Sequence, residues 1–278
     1  MKKTTKYFLI LISLVMVWTG WNCPQSSAQE TDAPQNSVLT QAPIDTLAMI
    51  LKEVDRLELD EWKHQEALDM LLQVESDNAE NGEILWRISR QYSEVGKIAE
   101  KDQKAALYQQ AIDYALRAVE LDSTNANGHL HWAIAAGRLA LFKGGKELIK
   151  LSKEVKYHSE KSIHLNPNED VGYYLLGRWH RKIANIGFLK KTLVKMIYGG
   201  LPDATNEASV ENMKKAIELD PDFIEYHLEL GRTYAKRMKM YDEARVCFEK
   251  VLELPLRKDD DESHKAEAQE MLEKIENK

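Results

Sequence analysis

Four arginines sit at equivalent places in a chain of 278 residues: Arg90, Arg138, Arg178 and Arg232. Three of them follow a glycine, at Gly137-Arg138, Gly177-Arg178 and Gly231-Arg232, and the fourth follows Ser89. A guanidinium is a planar fork of N–H donors that suits bidentate contact with carboxylates or phosphates. A ladder of them along one groove predicts recognition of acidic groups, with Arg181 and Lys182 widening the rung at Arg178. The competing reading is internal: the same arginines could pair with Asp or Glu on the next helix while their stems cover apolar surface.

A second cluster lies at 186–198. Phe188, Leu189, Leu193, Met196 and Ile197 alternate with Lys190, Lys191 and Lys195, the pattern of a short basic amphipathic helix. Such a helix could lie on an anionic lipid surface, or pack back on the rest of the chain. Net charge concentrates around it. The chain carries −7 overall, yet residues 138–195 hold thirteen Lys and Arg against five Asp and Glu. That basic waist could attract an anionic partner, or could pair with the acidic segments on either side of it.

Other constellations point to no chemistry. His129 and His131 are two apart, so on a helix they do not share a face and make a poor metal pair. Trp86, Trp132 and Trp179 stand where large rings fill helix interfaces. The chain has no glycine-rich phosphate loop, nucleophile elbow or paired-His metal motif. No catalytic residue, metal or cofactor is expected, and no nucleic acid partner.

The ladder and the cluster must be held by helices. Apolar spacings of three and four predict helices at 44–59, 62–74, 84–95, 105–121, 128–142 and 146–165. Asn166-Pro167 closes the last of these, because proline lacks the N–H donor and forces its predecessor out of helical dihedrals. Tyr173, Leu176, Gly177 and His180 then form a new stripe, and the layout recurs after Pro221 with Leu230, Gly231 and Tyr234. A partner helix follows each stripe, carrying Ala111, Ala115 and Ala118, or Val155, Ser159 and Ser162, or Ser209, Met213 and Ala216, or Ala244, Phe248 and Val251. A final helix runs to Ile275 behind an acidic start at 259–262 that suits the helix dipole, and its polar outer face reads as a cap. Each helix pair must bury its apolar face on its neighbours, so function should lie on the stacked surface as binding.

The first 28 residues read as a signal peptide. Lys2, Lys3 and Lys6 precede an apolar run at 7–18, and Ser26-Ser27-Ala28 offers small residues for cleavage. The run is shorter than the about 20 residues that a membrane span needs. Export to a bacterial periplasm is expected, with a lipid anchor on Cys23 as the alternative. Removal leaves Cys247 alone, so no intramolecular disulfide can form. Residues 29–43 lack periodicity and read as a flexible leader, 44–278 as the repeat domain, and no transmembrane span is expected in the mature chain.

The offsets resemble the tetratricopeptide repeat, whose period is about 34 residues. Pro167 to Pro221 spans 54 residues, so that copy carries an insertion. A closer resemblance covers nearly the whole mature chain: the regulator of microtubule dynamics family of tetratricopeptide-like proteins. Its carriers are Leu85-Trp86-Arg87, Glu120-Leu121-Asp122, His131-Trp132, Lys146-Glu147 and above all Leu175-Leu176-Gly177-Arg178-Trp179. Lys190-Lys191, the Tyr198-Gly199 step before Pro202, and residues 252–255 also match. The resemblance implies an all-helical scaffold without enzymatic activity. Animal members associate with microtubules or organelle contacts, and a lipid-binding role has been attached to the fold. An exported bacterial chain has no microtubule to bind, so the scaffold transfers and the partner does not.

The expected protein is therefore all-α: a right-handed tetratricopeptide-like solenoid of helical hairpins, with a helical insert in the third full repeat and a C-terminal capping helix. Its expected partner is a protein or peptide bearing acidic groups, held in the concave groove. The second reading is an anionic phospholipid or related amphiphile, met by the basic waist and the insert.

Overall fold

The computed structural model describes residues 42–276 and 278. The expected signal peptide, Cys23 and nearly all of the expected leader lie outside the described residues. Twelve helices follow: α1 Ala42–Leu59, α2 His64–Glu75, α3 Gly82–Ile98, α4 Lys101–Leu121, α5 Ala126–Leu139, α6 Gly145–Leu165, α7 Asp170–Ala184, α8 Phe188–Tyr198, α9 Asn206–Leu219, α10 Ile224–Thr233, α11 Tyr241–Glu253 and α12 Asp261–Ile275. None of the described helices is long and apolar enough to cross a membrane.

Local chemistry sets the boundaries. Asn81, Asn125 and Thr205 cap α3, α5 and α9 by accepting hydrogen bonds from the backbone N–H groups of Glu83, Gly128 and Ala208. The helix expected to start at Trp62 begins instead at His64, because Trp62 turns the chain with a left-handed φ of 55° and lets Lys63 N–H donate to the Leu57 carbonyl at 2.8 Å. The helix expected to run to Phe142 stops at Leu139 and tightens into a single 3₁₀ turn over Ala140–Phe142. α10 widens into a π turn over Tyr234–Met238, which Lys239 ends in the left-handed region.

The helices pack as hairpins, α1 with α2, α3 with α4, α5 with α6 and α10 with α11, and α7 pairs with α9 across the insert α8. The first helices also pack on one another in series, α3 on α5, α5 on α7, α7 on α10 and α10 on α12. α12 thus takes the place of one further first helix and closes the stack. It buries Ala268, Met271 and Ile275 and leaves most of its charged residues exposed. Counting α1–α2, the insert α8 splits the fourth hairpin, which is the third of those that follow it. This is a tetratricopeptide-like solenoid, all-α as the periodicity required.

The core is strung along the stack as successive interfaces. Val54, Leu71 and Ile84 fill the first, Ala111, Ala136 and Leu139 the middle, and Met213, Tyr226 and Phe248 the last. The glycines before Arg178 and Arg232 are points of close contact. A Cβ on Gly177 would stand 2.8 Å from Met213 Cε, and one on Gly231 would stand 2.5 Å from Phe248 Cε1. Trp86 and Trp179 are buried, and the Trp179 indole N–H donates to the Ser152 carbonyl at 2.8 Å.

Candidate binding groove

The ladder arginines all lie on first helices: Arg90 on α3, Arg138 on α5, Arg178 and Arg181 on α7, Arg232 on α10. Because these helices pack side by side, the arginines form one stripe, and each meets a carboxylate on a neighbouring first helix. Arg90 pairs with Glu58 of α1, and Arg138 with Glu94 of α3 at 2.8 Å. Arg178 reaches Glu225 and Glu229 of α10 at 3.3 and 3.5 Å, and Arg181 also pairs with Glu229. Arg232 pairs with Glu229 of its own helix at 2.7 Å and with Glu267 of α12.

Glu229 is the hub. Its side chain is 1 % exposed and is shared by three guanidinium groups. Burial alone would raise its carboxyl pKa, but Arg178, Arg181 and Arg232 outweigh that and hold it below the usual range. Glu94 behaves likewise: burial opposes ionisation, and Arg138 with Lys97 holds the carboxyl well below the usual range. Glu58 goes the other way. Its desolvation outweighs Arg90 and the hydrogen bond from Gln91, and its pKa is raised. Tyr174 completes the cluster by donating its hydroxyl to Glu225 and accepting from Arg178 at 2.5 Å.

The arginines are thus ordered by carboxylates without being hidden. Side chains of Arg90, Arg138 and Arg178 remain 32 %, 25 % and 34 % exposed. Arg138 is the most enclosed of the three: its Nη2 donates to Glu94 at 2.8 Å and its Nη1 is buried without a hydrogen-bond partner. Lys182 extends the stripe on α7 and stays exposed. The six residues of the expected ladder lie on successive first helices, and their arginines pair internally with Asp or Glu of neighbouring helices as the competing reading expected, through carboxylates that the sequence reading did not name. Their signal was available in part, since Glu94 falls four residues after Arg90, and Glu225 lies four before Glu229.

The insert α8 stands apart from the ladder. Leu193, Met196 and Ile197 are 52 %, 70 % and 63 % exposed, and Lys195 is exposed beside them. Lys191 donates to the Ala184 carbonyl at 3.1 Å, tying the helix to the end of α7. Phe188, Leu189 and Lys190 of the predicted lipid face belong to α8, but their side chains lie outside the described residues.

His129 and His131 do face different ways. His131 stacks on Trp86 with centroids 5.3 Å apart, whereas His129 Nδ1 lies 2.7 Å from His158 Nδ1 on α6. Asp260, Asp261 and His264 could together offer three ligand atoms to a cation. Asp260 is already engaged by Lys97 at 3.0 Å, and Asp261 accepts from the backbone N–H groups of Arg257 and Lys258, so both carboxylates serve the fold.

Comparison with known proteins agrees with this architecture. The family model described as Regulator of microtubule dynamics protein 1-3 matches residues 50–276. Regulator of microtubule dynamics protein 1 of Mus musculus is 32 % identical over 169 residues, covering 59 % of this chain and 55 % of that protein. Regulator of microtubule dynamics protein 3 of Xenopus laevis is 31 % identical over 197 residues, covering 70 % of this chain and 42 % of that protein. The chain therefore spans about half the length of these relatives. Among solved structures, a thermophilic TPR protein of Thermus thermophilus superposes with a TM-score of 0.57 at 18 % identity, covering 80 % of this chain and 98 % of that one. At that identity the likeness concerns the fold.

Proposed function

The chain belongs to the regulator of microtubule dynamics protein 1-3 family, and from that membership we propose that it is a non-enzymatic scaffold holding a protein or peptide partner along its first helices. The observation that carries this is the arginine stripe: guanidinium groups held by carboxylates, partly exposed at Arg90 and Arg178, and repeated from α3 to α10. Acidic groups are the partner chemistry such a row selects. Export through residues 1–28, a leader over 29–43 and a periplasmic site of action complete the reading. The mass of the mature N-terminus separates simple cleavage after Ala28 from a lipid-modified Cys23.

Site-specific photo-crosslinking in the native envelope tests the groove. Probes placed beside Arg90 and Arg178 should capture one common partner, and probes on the outer faces of α4 and α11 should not. Capture from the outer faces alone would sink the reading.

The insert favours a second reading, contact with anionic phospholipid. Three exposed apolar side chains on a helix with Lys190, Lys191 and Lys195 and no acidic residue match an interfacial helix. In that case Leu193→Ser with Ile197→Ser should abolish cosedimentation with vesicles containing phosphatidylglycerol, and Arg178→Gln should not.

A further inference from the structure

Where α7, α10 and α12 meet, the charges do not balance. Arg178, Arg181, Lys182 and Arg232 face Glu225, Glu229 and Glu267, so four cations share three carboxylates. Lys236 lies near Glu267 and adds to the excess. Glu229 is saturated by three guanidinium groups, and Glu267 and Glu225 are each engaged by an arginine. Lys182 is left over: its side chain is exposed, and no carboxylate lies within ion-pair distance among the described residues. Arg181 Nε, one residue away, is buried with no hydrogen-bond partner.

From this imbalance we propose that the groove wall at Lys182 is a carboxylate-recognition subsite, where an Asp or Glu side chain of an acidic peptide supplies the missing negative charge. The inference rests on the groove reading above and gives that groove its anchoring point. A carboxylate here meets the Lys182 ammonium directly, with Arg178 of the same helix and Arg232 of α10 adding field. The ammonium is destabilised in the free protein: partial desolvation within the groove, followed by the repulsion of Arg178, lowers its pKa to about 8, although the side chain remains in contact with water. Glu229 acts against that shift, while Arg181 and Arg232 reinforce it. Binding a carboxylate relieves the repulsion, which makes this rung more responsive to an incoming acid than the arginines, whose carboxylates are already in place.

The test uses the full chain and hexaglutamate as the probe, followed by fluorescence anisotropy at low and at physiological salt. Lys182→Glu should weaken binding by about tenfold or more, as expected for reversal of a contacting charge. Lys182→Arg should retain affinity, and Lys250→Ala, on the exposed side of α11, should leave it unchanged. Circular dichroism melts establish that all three variants remain folded. With dimethylated lysines read by NMR, the Lys182 resonance should titrate at higher pH once hexaglutamate is added. Unchanged affinity in Lys182→Glu, an unmoved Lys182 titration, or no binding by the wild type overturns the subsite. The groove reading stands or falls separately, on the crosslinking map.

Discussion

Lys97 near the end of α3 and Asp259 in the loop before α12 are 162 positions apart in the chain and 3.2 Å apart in space. Asp260 joins them at 3.0 Å from the same ammonium. The loop is pinned at its other end as well, by Arg257 with Asp220 at 2.7 Å and by Lys258, whose ammonium lies 4.3 Å from the Phe223 ring centre. In a simple solenoid each repeat touches only its neighbours. Here the entrance to the capping helix is tied back to the second hairpin.

Lys97→Glu should release this clasp and lower stability by about 1 kcal/mol, the upper range for partly exposed ion pairs. The loss should shrink at high salt, and amide exchange should accelerate at the start of α12 more than in α5. The sign with pH follows from both partners. Burial opposes the charge of Lys97, but Glu94 and Asp260 raise its pKa above 10.5, so its contribution is complete below that value and fades only as pH rises through the higher folded value. Asp260, also opposed by burial, is lowered below 3.8 by Lys97, so its contribution is lost as pH falls through its folded value. The clasp should therefore open only in strong acid or strong alkali.

Glu229→Gln keeps the shape of the hub and removes its charge. Three guanidinium groups are left sharing a neutral amide, and loss of one partner from a buried ionic network costs about 3–5 kcal/mol. Urea unfolding should show that loss, with Arg181→Gln restoring part of it in the double variant. A melt within experimental error of the wild type would show that the cluster is more solvated than its burial indicates.

The His129–His158 pair should respond to mild acid. Burial lowers both pKa values, and His158 falls to about 3, helped by the charge of His129. The unfolded chain therefore binds more protons as pH drops below about 6.5, and the α5–α6 hairpin should lose stability from there down toward the folded values. Trp132 is stacked on His158 at 3.9 Å, so its fluorescence reports the event. The wild-type minus Trp132→Phe difference should change as pH falls below that point, and should stay flat in His158→Gln.

Two glycines at the same position in the repeat should give opposite results. Gly231→Ala drives a methyl to 2.5 Å from Phe248 Cε1 and should cost about 1–3 kcal/mol by overpacking. Gly137→Ala finds its nearest neighbour, Val155 Cγ2, at 3.7 Å, and should be neutral or stabilising by about 0.4–1 kcal/mol through helix propensity and loss of unfolded-state freedom. Paired thermal melts decide both.

What the sequence determined was whatever repeats at short range. The spacing of Leu176, Gly177 and His180, the proline stops at Pro167 and Pro221, and the small residues of the partner helices specify hairpins that must stack, because a helix turns every 3.6 residues regardless of its surroundings. The arginine stripe was legible for the same reason, since an equivalent position in each hairpin points to the same side of the stack. The partners of those arginines were legible only in kind, as acidic residues on a neighbouring helix, and not by position. Whether Arg178 meets a carboxylate of a ligand or of Glu229 depends on how far one hairpin is rotated against the next, a small angle set by contacts such as Gly177 on Met213 and Gly231 on Phe248. The clasp from Lys97 to Asp259 and the leftover charge on Lys182 depend on that rotation accumulated over several hairpins. Only the tertiary structure decided them, because no local pattern carries information about side chains brought together by the sum of many packing angles.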